Sequence, residues 1–297
     1  MPTKQTCIRF LAVIVVYERN LDEVHAWPFL HHELITAADG GSAAEGDGFL
    51  LDKVLIYDNS PKVRGKPTEN LPGCIYVHDA SNGGTAAAYS LACVKASEAG
   101  IDWLLILDQD TLLPCGFLEA ASVALARSPS RPCAFVPWVF HGSSIVSPAR
   151  ITGVGTILPL QYEVPIPKAY QLTAISSGSL FHAPTFSTLM PIPGDLWLDF
   201  VDHWIFWQLR IRSLPVVVFD ASLQHSLSVS TIESLNLRRL TSILNGEAFF
   251  LAMLGTKARF VYPFRLAARV LRYALIRPEL AKHTIAWIVH RMKDRMQ

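Results

Sequence analysis

Short runs of apolar residues, separated by polar turns, make up the first half of the chain. Each run has the length of a strand, and the four clearest are Phe10–Tyr17, Val54–Tyr57, Cys74–Val77 and Trp103–Leu107. Continuous apolar runs of this length are typical of strands that are buried on both faces of a sheet. The segments between them, including the alanine-rich stretch Thr85–Ala99, favour helices. Alternating strands and helices predict an α/β fold with a mostly parallel sheet.

The pattern becomes almost wholly helical late in the chain. An apolar helix is predicted at His203–Arg212. Farther on, helices are predicted with breaks at Pro263 and Pro278, because proline lacks the N–H group that a helix interior requires. We therefore predict two parts, an α/β domain at residues 1–235 and a helical extension at residues 236–297.

Composition is that of a folded protein, but charge is unevenly distributed. Hydrophobic residues make up 51% of the 297 positions and charged residues 17%, which excludes a disordered chain. Residues 1–255 carry 16 Lys and Arg against 23 Asp and Glu, whereas residues 256–297 carry 10 against 2. The formal net charge of +1 is thus the sum of an acidic body, at −7, and a basic tail, at +8.

Cysteine usage and hydropathy indicate a protein of the cytoplasm. The five cysteines are dispersed, with no CxxC pair and no spacing typical of a metal site, as expected for thiols in a reducing compartment. The N-terminal apolar run is short and lacks a cleavage site, which favours a core strand over a signal peptide. No run reaches the ~18 consecutive apolar residues of a membrane span.

Polar side chains follow the predicted strands at the points where a parallel sheet binds its ligands. Asp58, Asn82, Asp108 and Asp110 all lie at or soon after strand ends. In Asp108-Gln109-Asp110, two carboxylates flank one residue, which suits Mg²⁺ or Mn²⁺ held together with the oxygens of a diphosphate. The alternative is a turn whose aspartates cap the following helix.

A series of motifs along the chain resembles, in sequence and in order, those of family-2 inverting glycosyltransferases and more narrowly of their bacterial rhamnosyltransferase-like branch. The resemblance covers roughly residues 8–230 and rests on Val54–Ser60, Ser81–Ala88, Asp102–Thr111, Ser176–Leu180, Leu198–His203 and Gln224-His225. The chain departs from the family pattern at Trp204 and Gln208, where an acidic residue and an arginine are usual. The resemblance implies a GT-A-type fold.

The resemblance also implies roles in catalysis and metal binding. Asp108 and Asp110, helped by His225, would hold the metal on the donor diphosphate. Asp202 would be the base that takes the proton of the acceptor hydroxyl, and its apolar neighbours would raise its pKa. Alternatively, Asp202 caps a helix that begins at His203, and Asp199 is the next candidate for the base.

On the donor side, the resemblance assigns the nucleotide base and ribose to Asp58, with Tyr17 and Glu18 beside it. It places Asn82 and Gly83 at a helix N-terminus that faces the donor. Asp108 would also be one of the residues that bind the donor. The donor would be a dTDP- or UDP-sugar, for example dTDP-L-rhamnose, and the acceptor a saccharide or a lipid-linked saccharide. Purely structural roles stay open for the turn residue Asp58, the capping residues Asn82 and Gly83, and the histidine His225.

The basic tail, residues 259–297, predicts amphipathic helices. Its first helix would carry a basic stripe beside an apolar one, formed by Arg265, Arg269 and Arg272 and by Phe264, Ala268, Leu271 and Leu275. Such helices lie on anionic bilayers, so we predict peripheral attachment to the cytoplasmic face of the inner membrane. The alternatives are packing on the acidic body or on a second subunit of a homo-oligomer. An acidic body without a binding motif argues against nucleic acid as a partner.

These features predict a metal-dependent inverting glycosyltransferase of cell-surface polysaccharide synthesis. A nucleotidyltransferase is the first alternative, but Val16–Asn20 has no glycine where such enzymes carry a phosphate-binding loop. A non-catalytic module that binds glycans or membranes is the second alternative.

Overall fold

A computed structural model describes residues 8–38, 49–67, 70–128, 133–162, 172–225, 232–233 and 235–294 of the chain. The strands within these ranges are β1 (Ile8–Val16), β2 (Phe49–Asp58), β3 (Cys74–His78), β4 (Trp103–Asp108), β5 (Thr111–Leu112), β6 (Ala134–His141), β7 (Ser144–Ser147), β8 (Ala149–Ile151), β9 (Ile157–Pro159), β10 (Leu172–Thr173), β11 (Leu180–His182) and β12 (Val216–His225). The helices are α1 (Trp27–Ala38), α2 (Gly84–Ala99), α3 (Phe117–Arg127), α4 (Ala183–Ser187), α5 (Val201–Ile211), α6 (Leu237–Leu254), α7 (Thr256–Ile276) and α8 (Pro278–Asp294).

One large sheet dominates the described residues. Its strand order is β3-β2-β1-β4-β11-β6-β12-β5, and β7 also pairs with β6. Strands β1 to β4 are mutually parallel, and so are β6 and β12, whereas β11 runs antiparallel between β4 and β6. The predicted α/β class, with a mostly parallel sheet between helices and a helical C-terminal extension, is confirmed.

The central strands are apolar because helices cover both faces of the sheet. Leu11 and Val13 of β1 belong to one hydrophobic cluster with Ala92 of α2. Phe10, on the other face of β1, belongs to a second cluster with Leu30 of α1. Successive side chains of a strand point to opposite faces, so that a strand covered on both sides is apolar throughout.

The strands bring their polar ends together at one edge of the sheet. Val15 of β1 lies beside Asp108 at the end of β4, in parallel register. From farther along the chain, β12 pairs with β5 in antiparallel fashion and places His225 opposite Thr111. Residues that are more than a hundred positions apart in sequence are thereby gathered at the carboxyl end of β4.

Helices α6, α7 and α8 form the C-terminal extension around a cluster that includes Leu240, Leu266 and Tyr273. The break predicted at Pro263 is wrong, because α7 continues through this residue, whereas α8 begins at Pro278 as predicted. Buried residues on both sides of Pro263 hold α7 together, and such packing overrides single-residue propensity. No helix in the described part of the chain is long and apolar enough to cross a bilayer.

The basic stripe predicted on α7 does not face solvent as one unit. Arg269 makes a bidentate ion pair with Glu247 of α6, with N–O distances of 2.7 and 3.2 Å. Arg265 donates a hydrogen bond to Thr156 Oγ1 at 2.7 Å, while Arg272 is exposed. Arg265 and Arg269 therefore contact residues of the acidic part of the chain, residues 1–255, as the alternative interpretation predicts.

The Glu247–Arg269 pair provides a test of how α7 packs on α6. We predict that Arg269→Ala lowers the free energy of unfolding by about 3 kcal/mol, because it leaves the Glu247 carboxylate buried without its partner. Arg272→Ala on the same helix should change it by less than about 0.5 kcal/mol. Chemical denaturation of the two variants measures the difference, and equal losses would contradict this packing.

Candidate functional site

A cluster of two carboxylates and one imidazole lies at the carboxyl end of β4. Asp108 ends β4, and Asp110 lies in the tight turn before β5. His225 ends β12, with its Nδ1 3.4 Å from Asp110 Oδ1 and its Nε2 3.9 Å from Asp108 Oδ2. The pairing of β12 with β5 fixes this arrangement. The structure thus brings together the three residues predicted as metal ligands.

The donor set fits a divalent cation. Ligand atoms of Asp108, Asp110 and His225 lie within 4.8 Å of one another. The His225 side chain is only 8% exposed, and its Nδ1 makes no hydrogen bond to any described residue. A buried imidazole between two carboxylates, with one ring nitrogen free of hydrogen bonds, suits Mn²⁺ or Mg²⁺.

Crowded negative charge at the same place also favours a cation. Burial and, to a smaller extent, the neighbouring Asp110 carboxylate raise the pKa of Asp108 to about 7, although the Arg239 charge and the Ser177 hydrogen bond lower it. Two carboxylates that cannot easily ionise together are stabilised by a bound positive ion.

The motif Ser176–Leu180 connects this cluster to α5. Asp108 N–H donates to Ser177 Oγ at 3.0 Å, and the Ser177 and Thr111 hydroxyls are hydrogen-bonded to each other. The neighbouring Ser176 Oγ donates to Asp202 Oδ1 at 2.6 Å. Two adjacent serines therefore fix the metal turn and the predicted base relative to each other.

Asp202 lies in the first turn of α5 and lines the same cavity as the metal cluster. The helix begins two residues earlier than predicted, at Val201, and its cap residue is Phe200. Asp202 is therefore no cap, and its carboxylate accepts from Ser176 instead. Burial, with a further contribution from the Asp108 charge, raises its pKa to about 6 although the Ser176 hydrogen bond lowers it.

Asp199, the second candidate for the base, is engaged elsewhere. Its Oδ1 lies 2.8 Å from a guanidinium nitrogen of Arg239. Burial raises the pKa of Asp199, and the Arg239 charge opposes that effect. An aspartate held in an ion pair is a poorer proton acceptor than Asp202, so the geometry favours Asp202.

The cavity has a volume of about 600 Å³, within the range of small-molecule sites. The metal cluster and Asp202 form part of its wall. The rest comes from the ends of β1, β2 and α2, the segment before α5 and the beginning of α6, including Tyr17, Asn59, Asn82, Gly84, Trp197, Asn236, Arg238 and Arg239.

Asp58, predicted as a nucleotide ligand, is not among the residues that line this cavity. The residue is fully buried. Its carboxylate accepts backbone N–H groups of Ser60, Arg64 and Gly65 and the hydroxyl of Tyr76, at 2.7 to 3.0 Å. These hydrogen bonds lower its pKa to about 2, despite burial. Asp58 therefore organises the loop after β2, as in the alternative interpretation, and its neighbour Asn59 lines the cavity.

The other predicted donor-side residues divide into two groups. Tyr17 and Asn82 line the cavity, and the Asn82 carbonyl accepts the Trp197 indole N–H at 2.6 Å. Glu18 is exposed and contributes only its backbone N–H, to Ser60 Oγ. Gly83 caps α2 and donates to Asp79. Tyr17 and Asn82 thus lie in the cavity wall, whereas Glu18 and Gly83 do not.

Two arginines of the cavity wall were not predicted from the sequence. Arg239 reaches the cavity from the first turn of α6, whose cap Asn236 accepts the Arg239 N–H at 2.8 Å. Arg238 lies over the Trp197 ring, 4.6 Å from its centre. An asparagine followed by two arginines marks a helix start in the sequence, but only the fold shows that this helix start faces the metal cluster.

Comparisons with known proteins do not place the chain in a family. No protein-family model matches the sequence, and no curated protein is significantly similar to it. Among solved structures, S. aureus TarS 1-349, alone or in complex with UDP, gives a TM-score of 0.48 at 13% identity, covering 91% of this chain and 75% of that one. The inositol-1-phosphate CTP transferase from T. maritima gives 0.38 at 11% identity, covering 82% and 97%. Similarities this distant assign neither a family nor an activity.

The cluster predicts how the protein binds Mn²⁺. Titration calorimetry should detect one site in the unsubstituted protein, weakened at least tenfold by His225→Ala and abolished by Asp110→Asn, because each removes a ligand. Asp195→Asn, which removes an exposed carboxylate outside the cavity wall, is the matched control. Unchanged affinity in both cluster variants would rule out this metal site.

The raised pKa of Asp108 predicts a pH-dependent gain in stability when its charge is removed. The folded-state pKa lies above the unfolded value, so the protonated group stabilises the fold at low pH and this contribution disappears as the pH rises through about 7. Without metal, Asp108→Asn should therefore raise Tm by about 3 °C at pH 8 and by much less at pH 4. Differential scanning calorimetry decides, and a variant that is less stable at pH 8 would contradict the crowding of charge.

Proposed function

We propose that the protein is a metal-dependent inverting glycosyltransferase with a GT-A-type fold. One observation carries the proposal: a single cavity joins a cluster suited to a divalent cation to an aspartate whose pKa is raised to about 6. Sugar transfer from a nucleoside diphosphate requires both, because the leaving diphosphate must be neutralised and the acceptor hydroxyl must lose its proton.

Asp108, Asp110 and His225 would hold the cation. When bound, a divalent cation neutralises the charge of the diphosphate leaving group. Arg239 lines the same cavity and adds a positive charge, which lowers the pKa of Asp108. Tyr17, on the same wall, offers a ring for the nucleotide of a dTDP- or UDP-sugar.

Asp202 would act as the base. Its carboxylate accepts the proton of the acceptor hydroxyl while the acceptor oxygen bonds to the anomeric carbon and the nucleoside diphosphate leaves with the electrons of the broken bond. Attack opposite to the leaving group inverts the anomeric centre. Ser176 orients the carboxylate, and the buried neighbours Val201 and Trp204 keep water from its surroundings.

The finer parts of the proposal rest on the motifs of the sequence. Their resemblance to the rhamnosyltransferase-like branch supports L-rhamnose from dTDP-L-rhamnose as the transferred sugar. It also supports a saccharide or lipid-linked saccharide acceptor in cell-surface polysaccharide synthesis, at the cytoplasmic face of the inner membrane. A screen of dTDP-, UDP- and GDP-sugars for thermal stabilisation in the presence of Mn²⁺ identifies the donor.

The proposed base gives a direct prediction. Asp202→Asn should slow transfer by about 10³-fold, because the amide cannot accept the proton, while donor affinity stays within about twofold. In the unsubstituted protein the transfer rate should fall as the pH drops through about 6, since protonated Asp202 is inactive. A coupled assay of released nucleoside diphosphate measures the rate, and calorimetry measures the affinity.

Controls separate this reaction from its alternatives. Asp195→Asn should leave the rate unchanged. Full transfer activity in Asp202→Asn would sink the assignment of the base. Release of pyrophosphate from a nucleoside triphosphate and a sugar phosphate would replace the proposal with a nucleotidyltransferase.

A further inference from the structure

The outer face of α7 is apolar although nothing in the described structure covers it. Phe260, Phe264, Leu271 and Leu275 are 72%, 65%, 68% and 88% exposed. Their spacing of i, i+4, i+11 and i+15 places them on one side of the helix, over a length of about 22 Å. The opposite side carries Leu266 and Tyr273, which are buried in the cluster of the extension. Helix α7 is therefore apolar on two opposite sides, and internal packing accounts for only one.

Helix α8 repeats this arrangement. Leu280 is buried and Trp287 packs partly against the cluster of the extension. Ile285, Val289 and Met292 are among the exposed large hydrophobic residues, and their i, i+4, i+7 spacing places them on the other side of the helix. Both helices of the antiparallel hairpin thus expose an apolar face. Large apolar side chains exposed in this number on two neighbouring helices mark an interaction site.

The charges around these faces select the class of partner. Residues 256–297 carry 10 Lys and Arg against 2 Asp and Glu. Some of the arginines serve internal contacts, as Arg269 does with Glu247 and Arg277 does with Glu279 and three backbone carbonyls. Four exposed cations lie on or beside the apolar faces, namely Lys257, Arg272, Lys282 and Lys293.

We propose that the exposed faces of α7 and α8 dock on an anionic lipid bilayer. The apolar side chains enter the boundary between headgroups and acyl chains, and the four exposed cations reach the lipid phosphates. A second copy docked through the same faces would bring two basic surfaces together, which disfavours a dimer. Attachment therefore uses the apolar face, whereas two of the three arginines of the predicted stripe make internal contacts, Arg265 with Thr156 and Arg269 with Glu247 of α6. This interaction needs neither donor nor acceptor, and it is independent of the proposed reaction.

Co-sedimentation of the full-length protein with vesicles tests the proposal. Vesicles of phosphatidylcholine with about one third phosphatidylglycerol should bind the protein at least tenfold more strongly than pure phosphatidylcholine. The combined variant Phe264→Ser, Leu271→Ser, Leu275→Ser should lose about 100-fold of that binding, because three inserted side chains become polar. The matched control Val94→Ser, Val123→Ser, Ile211→Ser changes exposed apolar residues on other helices and should bind within about twofold of the unsubstituted protein.

The two variants distinguish the outcomes because every substituted side chain is exposed and the fold should persist, as circular dichroism will verify. Undiminished vesicle binding by the α7 variant, or no binding by the unsubstituted protein, would overturn the proposal. Sedimentation velocity without lipid should give the same oligomeric state for all three proteins. A dimer that the α7 variant alone dissociates would assign the face to a second copy instead. Donor binding and transfer to a soluble acceptor should be unaffected by the α7 variant.

Discussion

Crowded negative charge at the carboxyl end of β4 is the constraint on which the rest of the site depends. The tight turn between β4 and β5 keeps the carboxylates of Asp108 and Asp110 close together, and Asp202 lines the same cavity. Burial and mutual repulsion raise the pKa values of Asp108 and Asp202 well above that of a free carboxyl group. Such an arrangement lowers the stability of the protein without metal, and the same repulsion favours the binding of a cation.

The surrounding structure holds this charge in place. The β12–β5 pairing sets His225 against the two aspartates, and the adjacent Ser176 and Ser177 connect the turn to the base. From the C-terminal extension, Arg239 adds positive charge while it pairs with Asp199. The extension is therefore part of the cavity wall, and it also carries the apolar face for which we propose lipid docking.

The sequence predicts those parts of the fold and site that depend on local pattern. Apolar runs ending in Asp108 and Asn82 indicate strands, an α/β sheet and a ligand edge, since both faces of such a sheet are covered. Local pattern does not determine long-range packing. Asp58 has the position of a ligand, but four donors from a nearby loop and strand use its carboxylate. The sequence does not distinguish Arg239 from other helix residues, and only the packing of α6 on α5 brings it to the cavity. The periodicity of α7 likewise does not tell which of its two apolar sides faces the core.

Diffraction from crystals grown with Mn²⁺ and UDP or dTDP would locate the metal without reference to activity, because Mn²⁺ scatters anomalously. We expect one anomalous peak within about 2.5 Å of Asp108 or Asp110 oxygens and a His225 ring nitrogen, with the diphosphate bound to it beside Arg239. Mn²⁺ bound elsewhere, or a diphosphate bound outside the cavity that Asp202 lines, would disprove the proposed metal site.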